Sequence, residues 1–337
     1  MRLLNVCKVA FLLFGTTAIL QSCNSDDDSA SGAVDTIIPS IITISEASLF
    51  PEGIDFNTKT NEFMVGSVTK SEVGVIDQET GVYSTFVTDP KLASVVGIYT
   101  DEIRNRLLVA SGNLGFSENS SINSSSQAYL GIYNLESGEL IEGVSLEELL
   151  PEGSSAFAND ITVDVDGNIY VTDSFSSIIY KVDGTTFEGS IFLDGGNDFT
   201  PATGQFGLNG IVYVDGFLIV CKLDDGTLFR IPLTKPEDYI KINASAFIGA
   251  DGLEVNADGD LVVVENGLGQ NTGTHVLTSE NNWESATEVA FFNIETEKFP
   301  TTATLANDGN IYVLNSYLGN ALAGDLSKET FEILRIE

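Results

Sequence analysis

Six residues stand at equivalent positions of a recurring segment: Glu52, Val96, Asn159, Asn209, Asp251 and Thr301. Each opens an alternating run that reaches a tight turn and continues into a second run rich in Val, Ile and Tyr. The clearest copies are NDITVDVDGNIYVTDSF from Asn159, DGLEVNADGDLVVVENG from Asp251 and TTATLANDGNIYVLNSY from Thr301. Four of the six positions carry oxygen donors, two as carboxylates and two as amide carbonyls. Two carboxylates brought together away from water demand a cation or protons. Hard neutral and anionic oxygens suit Ca2+, which takes about six to eight of them in flexible geometry. No Cys or His joins the set, which disfavours softer metals. Four protein ligands leave room for water or substrate, the condition for Lewis-acid catalysis. Taken singly, Asn or Asp at a strand start is an ordinary turn residue. The coincidence at one repeat position is what carries the metal assignment.

The elements that must position these residues follow from the same repeat. Looser copies run EGIDFNTKTNEFMVGSV from Glu52, VGIYTDEIRNRLLVASG from Val96 and NGIVYVDGFLIVCKL from Asn209. Asp-Gly between alternating runs is a hairpin signal, since both central positions of a two-residue turn want φ > 0. A second strand pair follows each hairpin, as at 73–87, 130–144 and 178–193. Each repeat thus supplies four short antiparallel strands, the content of one propeller blade. The expected architecture is all-β, a six-bladed β-propeller of four-stranded antiparallel blades over residues 36–337. The first strand of a blade lies nearest the channel, so the six openers ring its mouth. The strands at 37–44 and 331–336 are expected to share a blade and close the ring, because an unpaired edge is a liability. The Ser-rich stretch 116–127 reads as a polar surface loop, and 146–150 is the best helical candidate.

Composition excludes much else. Lys and Arg number 15 against 49 Asp and Glu, a formal charge of -34 that repels nucleic acid. The single His rules out multi-His zinc and two-His iron sites. There is no GxSxG and no HExxH. Arg2 and Lys8 flank a short apolar run at 9–20, the layout of a secretory signal over 1–22. Its end, Leu20-Gln21-Ser22-Cys23, resembles the lipobox of bacterial lipoproteins, which implies lipidation at Cys23. The acidic segment 23–35 reads as a flexible tether. The chain is therefore expected at the outer membrane or cell surface, as a monomer that meets the membrane only through its lipid. Cys221 is then the only thiol in the body, an inert buried one among apolar neighbours.

PEGIDF around Glu52, FANDITVD around Asn159, GLNGIVYVDG around Asn209 and GADGLEV around Asp251 resemble the SMP-30/gluconolactonase/LRE-like family. The likeness covers the body from about Leu49 onward. It implies a six-bladed propeller with catalytic calcium held by Glu52, Asn159, Asn209 and Asp251. It also implies Asp251 as general base or nucleophile, with Asp160 in support behind the ligands. The sugar lactonases carry an Arg two residues before the first ligand Asn. Here that position is Phe157, which points to a more apolar substrate. The implied activity is Ca2+-dependent hydrolysis of a small-molecule lactone or related ester. The alternative is a non-catalytic propeller, pinned by calcium, that binds a ligand or partner protein at the cell surface.

Other signals explain themselves locally. His275, in the Gly-rich stretch NGLGQNTGTHVLT, reads as a solvated loop residue. Gly267, Gly269 and Gly273 lack the helix that a dinucleotide fingerprint needs. The DVDG turn at 164–167 lacks the closing Glu of an EF-hand loop. Trp283 and Phe291 read as core-packing aromatics, with a place in the pocket wall as the alternative.

Overall fold

The computed structural model describes residues 38–336, apart from 120, 121, 123–125 and 270. The signal at 1–22, the lipidation residue Cys23 and the tether at 23–35 lie outside these residues, as does part of the Ser-rich stretch.

The alternating runs form six four-stranded antiparallel sheets. The inner strands of blades one to six are Pro51–Asn57, Ser94–Asp101, Ala158–Val163, Leu208–Val214, Ala250–Val255 and Pro300–Leu305. In the second strands the apolar run is almost unbroken. Arg106–Gly112 and Leu261–Asn266 are buried at every position, as expected of strands covered on both faces. The core accordingly lies in wedges between neighbouring blades. One wedge joins Met64 and Val73 to Val95 and Leu107, and another joins Val262 and Val264 to Ala303 and Val313.

The ring closes as the edge argument requires. Ile41–Ser45 is the outermost strand of blade six and pairs with Thr330–Arg335, from Ile41 opposite Leu334 to Ser45 opposite Thr330. Ile42 and Ile44 of this strand enter the wedge holding Phe50, Phe63 and Phe331. The stretch 146–150 yields a single 3-10 turn, Leu146–Leu149, and the described residues include one short α-helix, Leu318–Leu322.

The hairpin turns differ from the two-residue form that their Asp-Gly pairs suggest. In blades three, five and six only Gly167, Gly259 and Gly309 have positive φ, and the preceding Asp does not. Each closes a three-residue loop with glycine in the left-handed position; in blade three the Gly167 N–H donates to the Asp164 carbonyl at 3.0 Å. Only the shorter turn of blade four has both central residues left-handed, Asp215 and Gly216.

The glycine after four of the six openers serves close approach of backbones. A Cβ at Gly53 would lie 2.5 Å from the Val96 carbonyl oxygen, and one at Gly97 2.2 Å from that of Asn159. At Gly210 the same atom would stand 2.5 Å from the Asp251 carbonyl oxygen. Inner strands of neighbouring blades thus meet backbone to backbone, which sets the width of the channel. Gly210→Ala should push blades four and five apart. Chemical denaturation is expected to show a loss of about 1–3 kcal/mol; an unchanged midpoint would mean that the inner strands part without strain.

Candidate metal centre and its apolar mouth

Every inner strand slips register at its opener. In blade three Ala158 faces Asp173 and Ile161 faces Val171, so Asn159 and Asp160 together oppose Thr172. This is a β-bulge, which frees backbone groups from the ladder and re-aims side chains. The freed Asp160 N–H donates to Thr172 Oγ1 at 3.1 Å, and Thr172 Oγ1 in turn donates to the Asn209 carbonyl at 2.7 Å. Repetition of the bulge around the ring turns Glu52, Asn159, Asn209 and Asp251 into one cavity of about 250 Å³. Val96 and Thr302 are also part of its wall. Thr301, the sixth opener, points away and donates to the Glu52 carbonyl at 2.8 Å, tying blade six to blade one.

Neighbouring side chains hold the four donors. Asn159 Nδ2 donates to Ser174 Oγ at 2.9 Å, and Ser174 Oγ donates to the Leu208 carbonyl at 2.6 Å. Asn266 Nδ2 donates to Asp251 Oδ2 at 2.8 Å, and the Asn209 side chain also hydrogen-bonds Asp251. Cys221, buried with its thiol pushed up by desolvation, donates to the Asp251 carbonyl at 3.1 Å. Asp160 lines the same cavity, but its carboxylate accepts from Ile161 N at 2.9 Å and Ile211 N at 3.0 Å. It therefore anchors the strand that carries Asn209. Asp55 plays the same part between blades one and two, through Thr100 N at 2.6 Å, and Glu254 between blades five and six, through Leu305 N.

Burial raises the proton affinity of these carboxyls. Glu52 is held well above its ordinary value by desolvation first and then by repulsion from Asp251 and Asp160. Asp251 is raised by desolvation, against the opposing hydrogen bonds of Asn266 and Asn209. Asp160 is pushed up to about 7, chiefly by burial. Among the described residues no group of three or more His, Cys, Asp or Glu side chains is arranged to hold a metal. The cavity instead offers two carboxylates and two amides. An all-oxygen donor set with an uncompensated buried negative charge fits a hard divalent cation.

Above the donors the channel opens into a space of about 420 Å³ walled by Leu114, Phe157, Phe206, Leu223, Phe299 and Leu318. Phe157 is almost fully buried and faces Gly112, where a Cβ would lie 2.5 Å from its ring. Its backbone N–H is held by Asp173 Oδ1 at 3.0 Å. Phe157 and Phe299 of this wall each stand two residues before an opener, Asn159 and Thr301. Leu114 and Leu223 lie just past second strands, Phe206 in the loop before blade four, and Leu318 at the start of the helix Leu318–Leu322. Asn266 and Ser174 had a signal, since they stand at matching points of the repeat, where the second strand ends.

His275 departs from expectation. It lies on the strand Thr272–Thr278, 4 % exposed, with Nε2 2.9 Å from Glu265 and Nδ1 2.9 Å from Glu288. Phe247 and Phe291 flank its ring. His275 thus lies on a core strand, paired with buried Glu265 on one side and with solvent-exposed Glu288 on the other, outside the channel cavities. Trp283 packs in the wedge between blades four and five.

The fold defines the class: a six-bladed β-propeller with a ring of polar residues at its channel. No known family model matches the chain, and no curated protein does. Among solved structures it is similar to the major allergen Mala s 1 of Malassezia sympodialis, at 17% identity and a TM-score of 0.69 over 89% of this chain and 96% of that one. It is similar to a gluconolactonase from Xanthomonas campestris, at 14% identity and 0.58 over 88% and 89%. A third is the calcium-binding protein regucalcin from Agrobacterium tumefaciens, at 15% identity and 0.56 over 86% and 92%. At these identities the likeness establishes a shared fold.

The raised carboxyls set a pH dependence. With folded values above the unfolded value of about 4, the folded state binds more protons than the unfolded one across the window that ends near the folded value, about 7 for Asp160. These groups therefore lower stability as pH rises through that window. Melting curves of the metal-free protein should fall more steeply with pH in the wild type than in Asp251→Asn. Added calcium should flatten the wild-type slope by displacing protons. Equal slopes without metal would contradict the buried-carboxyl account.

Proposed function

We propose that the chain is a calcium-dependent hydrolase of lactones or related esters, held at the cell surface by lipid on Cys23. The observation that carries this reading is the convergence of four bulged openers, two of them buried carboxylates, at the floor of an apolar cavity. Glu52, Asn159, Asn209 and Asp251 would hold the ion, which supplies Lewis-acid polarisation of the substrate carbonyl. Two structural neighbours, a gluconolactonase and a calcium-binding protein, agree with the proposal.

The chain's own groups supply the rest. Asn266 fixes Asp251 through Oδ2. Asp251 lines both the donor cavity and the apolar space above it, where its carboxylate can take a proton from a water at the floor. As a base it takes the proton of a water that adds to the carbonyl carbon. The carbon–oxygen bond to the leaving oxygen then breaks, and that oxygen takes the proton, leaving a hydroxy acid from a lactone. As a nucleophile it adds to the carbonyl itself, and water opens the resulting anhydride. Single turnover in ¹⁸O water separates the routes, since only the second places label in Asp251. Phe157, Phe206 and Phe299 keep bulk water from the reacting carbonyl.

Asp251→Asn is expected to lower kcat by about 10²–10⁴-fold on a lactone that the wild type hydrolyses. Calcium content and circular dichroism of the variant should show a loaded, folded chain. A wild type that is calcium-loaded yet inert on lactones and aryl esters would instead favour a calcium-pinned binding propeller.

A further inference from the structure

The cavity above the donors has a composition that selects its occupant. Its walls are Leu114, Phe157, Phe206, Leu223, Phe299 and Leu318, and exposed Leu268 and Leu322 carry the apolar surface out to solvent. The polar groups lining it are Glu52, Asn159, Asn209, Asp251 and Asn266, all gathered at the floor. Asn266 already gives its amide N–H to Asp251, and Asn159 gives its own to Ser174. Among the described residues, none of those lining it is cationic. A polyol would bury hydroxyls here without partners, which is penalised. An anionic ligand would find no cationic side chain to pair with, inside a chain of charge -34.

The aromatic side of the wall is built as a unit. Phe157, Phe175 and Phe206 pack mutually, with centroids 5.0, 5.5 and 5.2 Å apart. Asp173 Oδ1 accepts from the backbone N–H of Phe157, Phe175 and Ser176, and Asp173 Oδ2 accepts from Tyr180 at 2.6 Å. Rings fixed in this way form a preorganised apolar surface, which lowers the ordering cost of binding.

We infer that the substrate is a neutral ester or lactone whose unbranched apolar chain lies along the Phe157–Phe206 wall toward Leu268 and Leu322, with its carbonyl at the floor. The reacting group rests on the hydrolase reading, whereas the apolar chain rests on the cavity alone.

The test uses the full calcium-loaded chain and two matched series. One is γ-lactones with lengthening alkyl tails, and the other is 2-alkylcyclopentanones of the same lengths, which cannot be hydrolysed. For the lactones, kcat/KM should rise about fourfold per methylene until the tail leaves the cavity. Calorimetric affinity for the cyclopentanones should rise by about the same factor. Phe206→Asn and Leu268→Asn should flatten both series; the exposed position of Leu268 makes its variant independent of core packing. Turnover that is insensitive to tail length, or faster on a sugar lactone, overturns the inference and leaves the hydrolase reading standing. Cyclopentanone binding that tightens with length without any lactone turnover sinks the hydrolase reading and supports the apolar ligand. Failure of both series overturns both.

Discussion

Glu52 and Asp251 are held out of water at the mouth of one channel, and much of the inner architecture serves to keep them there. Two buried carboxylates repel each other and resist ionisation, so the fold must over-determine their positions. It does so with six bulges in register around a closed ring. Each bulge would waste backbone hydrogen bonds, and side chains recover them: Thr172 accepts from Asp160 N–H, and Asp160 accepts from Ile211 N–H. The carboxylates at positions 55, 160 and 254 repeat this bracing in alternate blades. Acidity in this channel is therefore of two kinds, one committed to backbone donors and one turned toward the cavity.

The same closeness explains why glycine follows four openers. An inner strand that meets its neighbour at backbone distance has no space for Cβ, and the exceptions fall in blades three and six, where Asp160 and Thr302 stand instead. Ring closure by Ile41–Ser45 adds constraint from the other side, because the outer strand of blade six comes from the opposite end of the body. The channel width, and with it the spacing of the four donors, is thus set by contacts spread along the whole chain.

The six openers were legible because they recur at one phase of a repeat, and the blade count followed from them. The bulge was not legible. Its signature is a register slip between two strands, and sequence alternation alone does not reveal which residue lacks a partner. Asp-Gly pairs marked the turns correctly but misled on their geometry, since the left-handed glycine of a three-residue loop and that of a two-residue loop leave the same pair of letters. His275 was hidden by flanking glycines. Its stabilising partners, Glu265 and Glu288, sit on adjacent strands and become visible only with register. Phe157 could be read from its place beside Asn159, whereas Phe206, Leu268 and Leu322 come from segments that carry no repeat.

The central claim is that the bulged openers form one hard-cation site. Its most direct test is a crystal of the chain soaked in terbium, a calcium substitute located by anomalous scattering. A single strong peak is predicted within about 2.3–2.6 Å of side-chain oxygens from Glu52, Asn159, Asn209 and Asp251. A peak elsewhere, with the two carboxylates left facing one another, would contradict it.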